Sequence, residues 1–263
     1  MKNIKIQSIY TDLIVESNTG EGNNNITYQE DSICVKESYF NKKHYTTIFF
    51  EDIIDSLKFK KVQDIFVREL KKYLNLKKKE KILVIGLGNE KSTPDSLGPS
   101  TVKNILITRY LFLLGDVEEG YQNVSAFTPD VMGNTGIETS HIVKKIVDEV
   151  KPTKVIVIDS LKSDHIERIN RTIQITDKGI HPGSGIGNDR KEISFKTIGV
   201  DVIAIGVPTV VNLCSIIKQS KKNISLGENL IVTPTNIDFM IEKLSILIGN
   251  GINISLHDNF IRQ

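Results

Sequence analysis

Cysteine is scarce in this chain, with only Cys34 and Cys214 in 263 residues. Two cysteines build no disulfide framework at this size, so a reducing compartment is expected. Neither sign of charge is in excess. Thirty-four Lys and Arg stand against 32 Asp and Glu, a net charge of +2, which leaves no electrostatic footprint for direct nucleic-acid binding or for a membrane surface. Long apolar runs are missing too. The run 105–114 is too short for a bilayer span and carries Arg109, and the opening MKNIKIQSIYTDLIVES alternates polar with apolar residues instead of forming a signal-peptide core. The expectation is a soluble, cytoplasmic, ordinary globular protein.

Several catalytic signatures are also absent. No G-x-x-x-x-G-K-S/T occurs, which excludes a P-loop. Gly86-Leu-Gly88 follows an apolar run, as in a dinucleotide-binding turn, but Lys91 stands where the third glycine belongs. Gly183-Ser-Gly-Ile-Gly187 is not a G-x-S-x-G elbow. The five histidines (His44, His141, His165, His181 and His257) show neither H-E-x-x-H nor a Cys/His zinc spacing. Cys214 lies in an apolar helical run and Cys34 far away in the amino-terminal part, so a cysteine nucleophile is not expected. No cofactor is implied.

What is present is an alternation of apolar strands and helical segments. Ile82 to Ile85, Lys154 to Ile158 and Asp201 to Ile205 read as buried strands, and Arg171 to Ile175 as a further one. Helical spacing covers Glu51 to Leu76, Gly98 to Leu114, Ile137 to Val150, the stretch to about Ile217, and Ile237 to Ile248, with a last short helix after Gly249-Asn-Gly251. Thr128 to Gly136, His181 to Asn188 and Lys218 to Asn229 read as loops. Residues 13–50 carry short alternating segments around a Gly-Asn cluster and predict a small β-rich amino-terminal lobe. The fold class is α/β: three layers, a mostly parallel sheet flanked by helices, in one domain over 1–263.

Two acids stand out. Asp95 follows the turn after the Ile82 strand, and Asp159 ends the Lys154 strand, at the sheet edge where open α/β folds place their chemistry. Alone, each reads better as a helix N-cap. Together at adjacent strand ends they fit a carboxylate pair that cannot ionise twice, so that one activates water while the other hydrogen-bonds the attacked carbonyl. His181, opening the glycine loop, completes an alternative site with open coordination positions.

The runs GLGN and TPDSLGP within 86–99, VMGNTGIETS (131–140), VIDSL (157–161), ERINRTIQITDKGIHPGSGIGNDRKEIS (167–194) and VIAIGVPTVV (202–211) resemble the germination protease family of bacterial spores. The resemblance implies an endopeptidase, made as a self-processing zymogen and assembled as a homotetramer in the spore core. Its substrates would be small acid-soluble spore proteins. Asp95 and Asp159 match the family's essential aspartates, which implies an atypical aspartic mechanism. Tyr10 to Ser17 resembles the family's processing site, implying a cut between Asp12 and Leu13 and a propeptide over 1–12. Two departures are Ser96 and Ser160 in place of the more usual alanine, each a hydroxyl placed to bond its neighbouring carboxylate. A glutamate before the cut would call for a cation, and Arg168, Arg171, Arg190 and Lys191 flank the site. Two rival readings stay open. One is a metal-dependent endopeptidase of the hydrogenase-maturation type, with Asp95, Asp159 and His181 as ligands; the other is an inactive relative that only binds spore proteins.

Overall fold

The computed structural model describes residues 12–16, 25–40, 43–78, 80–183, 190–219 and 230–260. The alternating opening MKNIKIQSIY, part of the glycine loop after His181 and nearly all of the connection after Lys218 lie outside the described residues.

One mixed sheet organises the chain. Its strands are β1 (Asn25–Glu30), β2 (Ile33–Phe40), β3 (Lys43–Phe49), β4 (Lys81–Gly86), β5 (Asn123–Phe127), β6 (Lys154–Ser163), β7 (Thr172–Thr176), β8 (Asp201–Asn212) and β9 (Ile231–Val232). They run in the order β1-β2-β3-β7-β8-β6-β4-β5, with β9 on β8. The four central strands β8, β6, β4 and β5 are parallel, while β1, β2, β3, β7 and β9 are antiparallel to their neighbours. The amino-terminal β-rich part is therefore a continuation of the central sheet, joined through β3 and β7.

The helices are α1 (Ser56–Leu74), α2 (Leu97–Val102), α3 (Arg109–Leu114), α4 (Met132–Thr135), α5 (Thr139–Val150), α6 (Phe195–Ile198), α7 (Leu213–Gln219) and α8 (Ile237–Leu256). Strand alternation sorts the core into two layers. Ile82, Val84, Ile156, Ile158, Ile203 and Ile205 pack with α1 and α8. Leu83, Ile85, Val155, Val157 and Val202 pack on the other face with Val143 and Val147 of α5 and Ile198 of α6. This is the three-layer α/β architecture expected.

Helix boundaries follow local chemistry. Asp55 caps α1 by accepting from the Leu57 and Lys58 N–H groups at 2.9 and 3.0 Å, and Asn75 closes it in the left-handed region. Two expectations need correction. The segment Gly98 to Leu114 is two helices, α2 and α3, because the buried Asn253 side chain of α8 takes the Leu106 N–H and Asn104 carbonyl of the break at 2.9 and 2.8 Å. Conversely, α8 runs straight through Gly249-Asn-Gly251. Those glycines serve close packing rather than termination: a Cβ on Gly251 would lie 2.5 Å from the Phe66 ring, and one on Gly249 2.6 Å from Asn104. By length and composition α8 could also cross a membrane, but 67% of that stretch is buried inside the fold.

Candidate active site

The strand β4 leaves the sheet at Gly86, and its continuation folds back over its own end. Leu87 N–H bonds the Ile158 carbonyl of β6 at 2.8 Å. A Cβ on Gly98 would meet Leu87 O at 2.2 Å and Ile158 O at 2.7 Å, and one on Gly88, at φ +117°, would meet Asp95 O at 1.9 Å. Glycine at these places lets the single 3₁₀ turn Thr93–Asp95 press against the strand ends. The Thr209 hydroxyl of β8 fixes that turn by donating to the Pro94 carbonyl at 2.6 Å. Asp95 is thus not an N-cap. Its Oδ2 accepts the Asn89 N–H at 3.0 Å.

Asp159 differs from the expectation in one respect. It does not end its strand, because β6 continues to Ser163 paired with β8 as far as Ser163–Val211, with an irregularity between Leu161 and Lys162. Its side chain is 5% exposed, and its Oδ1 accepts the Ser160 N–H at 2.9 Å. The two serine hydroxyls play another part than expected. Ser96 Oγ donates to the Thr93 carbonyl at 2.8 Å, and Ser160 Oγ has no hydrogen-bond partner among the described residues.

Asp95 and Asp159 line one cleft of about 520 Å³, together with Asp12, Lys162, Gln174 and His181. Burial pushes the Asp95 carboxyl up to about 6, against the Asn89 N–H and Arg190, which favour its charged form; Asp130 adds to the rise. Asp159 is raised well above the ordinary carboxylate range, first by burial, then by the charges of Asp95 and Asp12, against the Ser160 N–H and Arg190. Both acids therefore favour a proton more than a solvated aspartate does.

The cleft also holds the segment expected to be processed. Asp12 N–H bonds the Lys162 carbonyl at 3.1 Å, and Asp12 Oδ2 accepts the Lys162 N–H at 2.8 Å. Leu13 is buried at 1% exposure. Gln174 of β7 brackets it: Nε2 donates to the Asp12 carbonyl at 3.3 Å, and Oε1 accepts the Ile14 N–H at 2.9 Å. Residues Ile14–Glu16 form a 3₁₀ turn.

Of the four candidate cations, Arg190 acts on both aspartates, Arg168 lies 2.7 Å from Glu16, and Lys191 Nζ sits 3.1 Å from His141 Nε2. Arg171 lines a separate hollow beside Asn170 and Pro234. His181 faces the cleft, but its Nε2 lies 3.2 Å from Glu192 Oε2. Among the described residues no group of three His, Cys, Asp or Glu side chains is placed to hold a metal. Cys34 and Cys214 are half-buried and unpaired as a disulfide.

Sequence reasoning missed Gln174, Asn89 and Thr209. Gln174 reads there as one polar position of an alternating strand, and nothing in the run Arg171 to Ile175 marks it out.

Two carboxylates thus share one cleft with the segment around Asp12, and comparison with known proteins places the chain among the proteases. A family model described as germination protease matches residues 2–224. The germination protease of Geobacillus sp. (strain WCH70) is 41% identical, with 75% of this chain and 72% of the relative covered. That of Bacillus subtilis (strain 168) is 38% identical, with 80% and 76% covered. Among solved structures, a NiFe hydrogenase maturation protease HycI from Thermococcus kodakarensis KOD1 aligns at 16% identity and a TM-score of 0.40, covering 70% of this chain and 98% of that one. The chain belongs to the germination protease family.

Proposed function

We propose that this protein is an endopeptidase that starts the breakdown of small acid-soluble spore proteins at germination. In this reading it is made as a zymogen, cuts itself between Asp12 and Leu13, and uses Asp95 and Asp159 to activate water. The observation that carries the reading is the Asp12 carbonyl, held by Gln174 in the cleft that both aspartates line.

The pKa order divides the work. Burial and the charges of Asp95 and Asp12 favour the protonated form of Asp159, which suits it to donate a hydrogen bond, while Asp95, titrating at about 6, suits the role of base. Asp95 takes a proton from water as the oxygen attacks the Asp12 carbonyl carbon. Asp159 donates a hydrogen bond to the carbonyl oxygen, and Gln174 Nε2 adds a second donor to the same oxygen. Collapse of the tetrahedral intermediate breaks the C–N bond, and the proton held by Asp95 passes to the leaving amine of Leu13.

The place of action is the cytoplasm of the spore core, with no direct contact to nucleic acid or membrane, and the assembly is a homotetramer. Tyr110, Leu113 and Leu114 on α3 are 55, 74 and 75% exposed, an apolar surface that suits burial against another copy.

The test is the intact mass of a small acid-soluble spore protein incubated with residues 13–263, alongside Asp159→Asn. A single cut by the parent and none by the variant supports the protease and the dyad together. Equal cutting by both removes the aspartate mechanism.

A further inference from the structure

Strand β8 carries a hydroxyl where its own pattern calls for an apolar side chain. Ile203, Ile205 and Val207, at two-residue steps, belong to the core layer packed with α1 and α8, and Thr209 is the next residue of that series. Thr209 is 0% exposed, and a hydroxyl buried so deeply is costly unless it is bonded. Along β6, Leu161 pairs with Pro208 and Lys162 with Val210, so Thr209 is the extra residue at the irregularity between them. An extra residue of this kind is released from the ladder. Its groups bond elsewhere. The Thr209 hydroxyl donates to the Pro94 carbonyl at 2.6 Å, and the Thr209 carbonyl accepts the hydroxyl of Thr233, the residue after β9, at 2.9 Å.

The Pro94 carbonyl belongs to the peptide bond that leads into Asp95. The N–H of that same peptide donates to the Ser92 carbonyl at 2.8 Å, so the plane is held from both sides. Two more bonds come from the loop itself: the Asn89 N–H meets the Asp95 carbonyl at 3.0 Å and Asp95 Oδ2 at 3.0 Å. Local bonds of this kind set the shape of a loop. Thr209 does something different, because it ties the loop to β8. That strand is paired to Asp159 at Gly206, three residues before Thr209. One strand therefore grips both acids, Asp159 through the sheet ladder and Asp95 through a side-chain hydroxyl.

We infer that Thr209 is a positioning residue for peptide cleavage: with Thr233 bracing its carbonyl, its hydroxyl sets the Asp95 carboxyl against Asp159. Thr209 moves no proton and acts only through the Pro94–Asp95 peptide. This rests on the reading of Asp95 as the base.

The experiment uses the full-length protein and a peptide of residues 5–20 of this chain, with kcat and KM obtained from cleavage followed by mass. Thr209→Val removes the hydroxyl at nearly constant shape. It is expected to lower kcat about 30-fold with KM within about twofold, the scale of a small displacement of a reacting group. Thr209→Ser restores the donor and is expected to return kcat to within about threefold of the parent, an order that lost packing alone does not give. Thr233→Val frees the Thr209 carbonyl and is expected to lower kcat about fivefold, again at unchanged KM. Unchanged kcat in Thr209→Val, with Asp95→Asn inactive, overturns the positioning role and leaves the reading of Asp95 standing. An equal loss in Thr209→Val and Thr209→Ser overturns it too, since the hydroxyl is then not what acts. Should thermal melting show that Thr209→Val does not fold, Thr233→Val decides, and an unchanged kcat there overturns the inference. Cutting by Asp95→Asn at the parent's rate overturns the reading beneath and this inference with it.

Discussion

Gln174 and Asp159 stand in register across Gly206, each paired to it from opposite sides of β8. Residues paired in this way point to one face of a sheet, so an amide and a carboxyl face each other over a position with no side chain. The space over Gly206 is taken by the Leu161 side chain: a Cβ on Gly206 would lie 2.4 Å from it. The amide holds the Asp12 carbonyl and the Ile14 N–H, and the acid lines the same cleft.

Replacing Gln174 with Leu is expected to lower kcat/KM by about 100-fold, the usual scale for loss of one donor to a developing oxyanion. The effect falls mainly on kcat. Thermal melting checks that the fold is kept, since an apolar side chain of similar size leaves neighbouring β7 and β8 paired.

Asp95→Asn is expected to abolish cleavage and yet stabilise the protein at pH 7. Burial raises the folded carboxyl from 3.8 to about 6, so the folded state holds its proton more tightly than the unfolded chain. Ionisation then costs stability progressively as pH rises from about 4 through 6, to a limit of about 3 kcal/mol above that window. Denaturant melts at pH 4.5 and 7.5 check this: the parent loses stability between them, and the variant loses less.

The pH dependence of cleavage carries the same group. With Asp95 as the base, kcat/KM falls about tenfold per unit below pH ~6 as its carboxylate is protonated. Asp159, raised well above its ordinary value, sets the upper limb. Initial rates from pH 4.5 to 8.5 give both limbs, and a rate that climbs steadily toward acid would reverse the two roles.

Asn253→Ala tests the joint between α2 and α3 without touching the cleft. Its buried amide holds both Leu106 N–H and Asn104 O, so its removal leaves two backbone groups unpaired, at about 2–4 kcal/mol. Thermal melting should show that loss, while kcat of the folded fraction stays at the parent's value.

Much of the candidate cleft was legible because its carriers are local. Gly86-x-Gly88 after an apolar strand marked the sheet edge near Asp95, and the end of the apolar run Lys154 to Ile158 marked Asp159. The ends of β6 and β8 were not legible, because both strands outrun their apolar runs. Asp159-Ser-Leu-Lys-Ser163 is polar at four of its five positions, and its pairing with Gly206 to Val211 keeps it extended. Gln174 was hidden for a related reason. Its meaning depends on a glycine 32 positions later in the chain, and no pattern within Thr172–Thr176 reports on that neighbour. The break after α2 and the unbroken α8 share one cause: side chains of α8 decide the first, and Phe66 of α1 requires the glycines of the second. Tertiary packing overrode local propensity in both places.

The hold on Asp12 is made by Lys162 and Gln174 of the same polypeptide. A segment tethered to its own cleft meets it at an effective concentration on the order of mM, whatever the dilution. If the proposed self-cleavage holds, the first cut would be a first-order event whose half-time belongs to the molecule and not to how many copies surround it. Digestion of a separate protein, by contrast, speeds up with the amount of enzyme present. One cleft would in this way run a clock before it runs a reaction, and a dilution series of the uncut protein would show the clock keeping time.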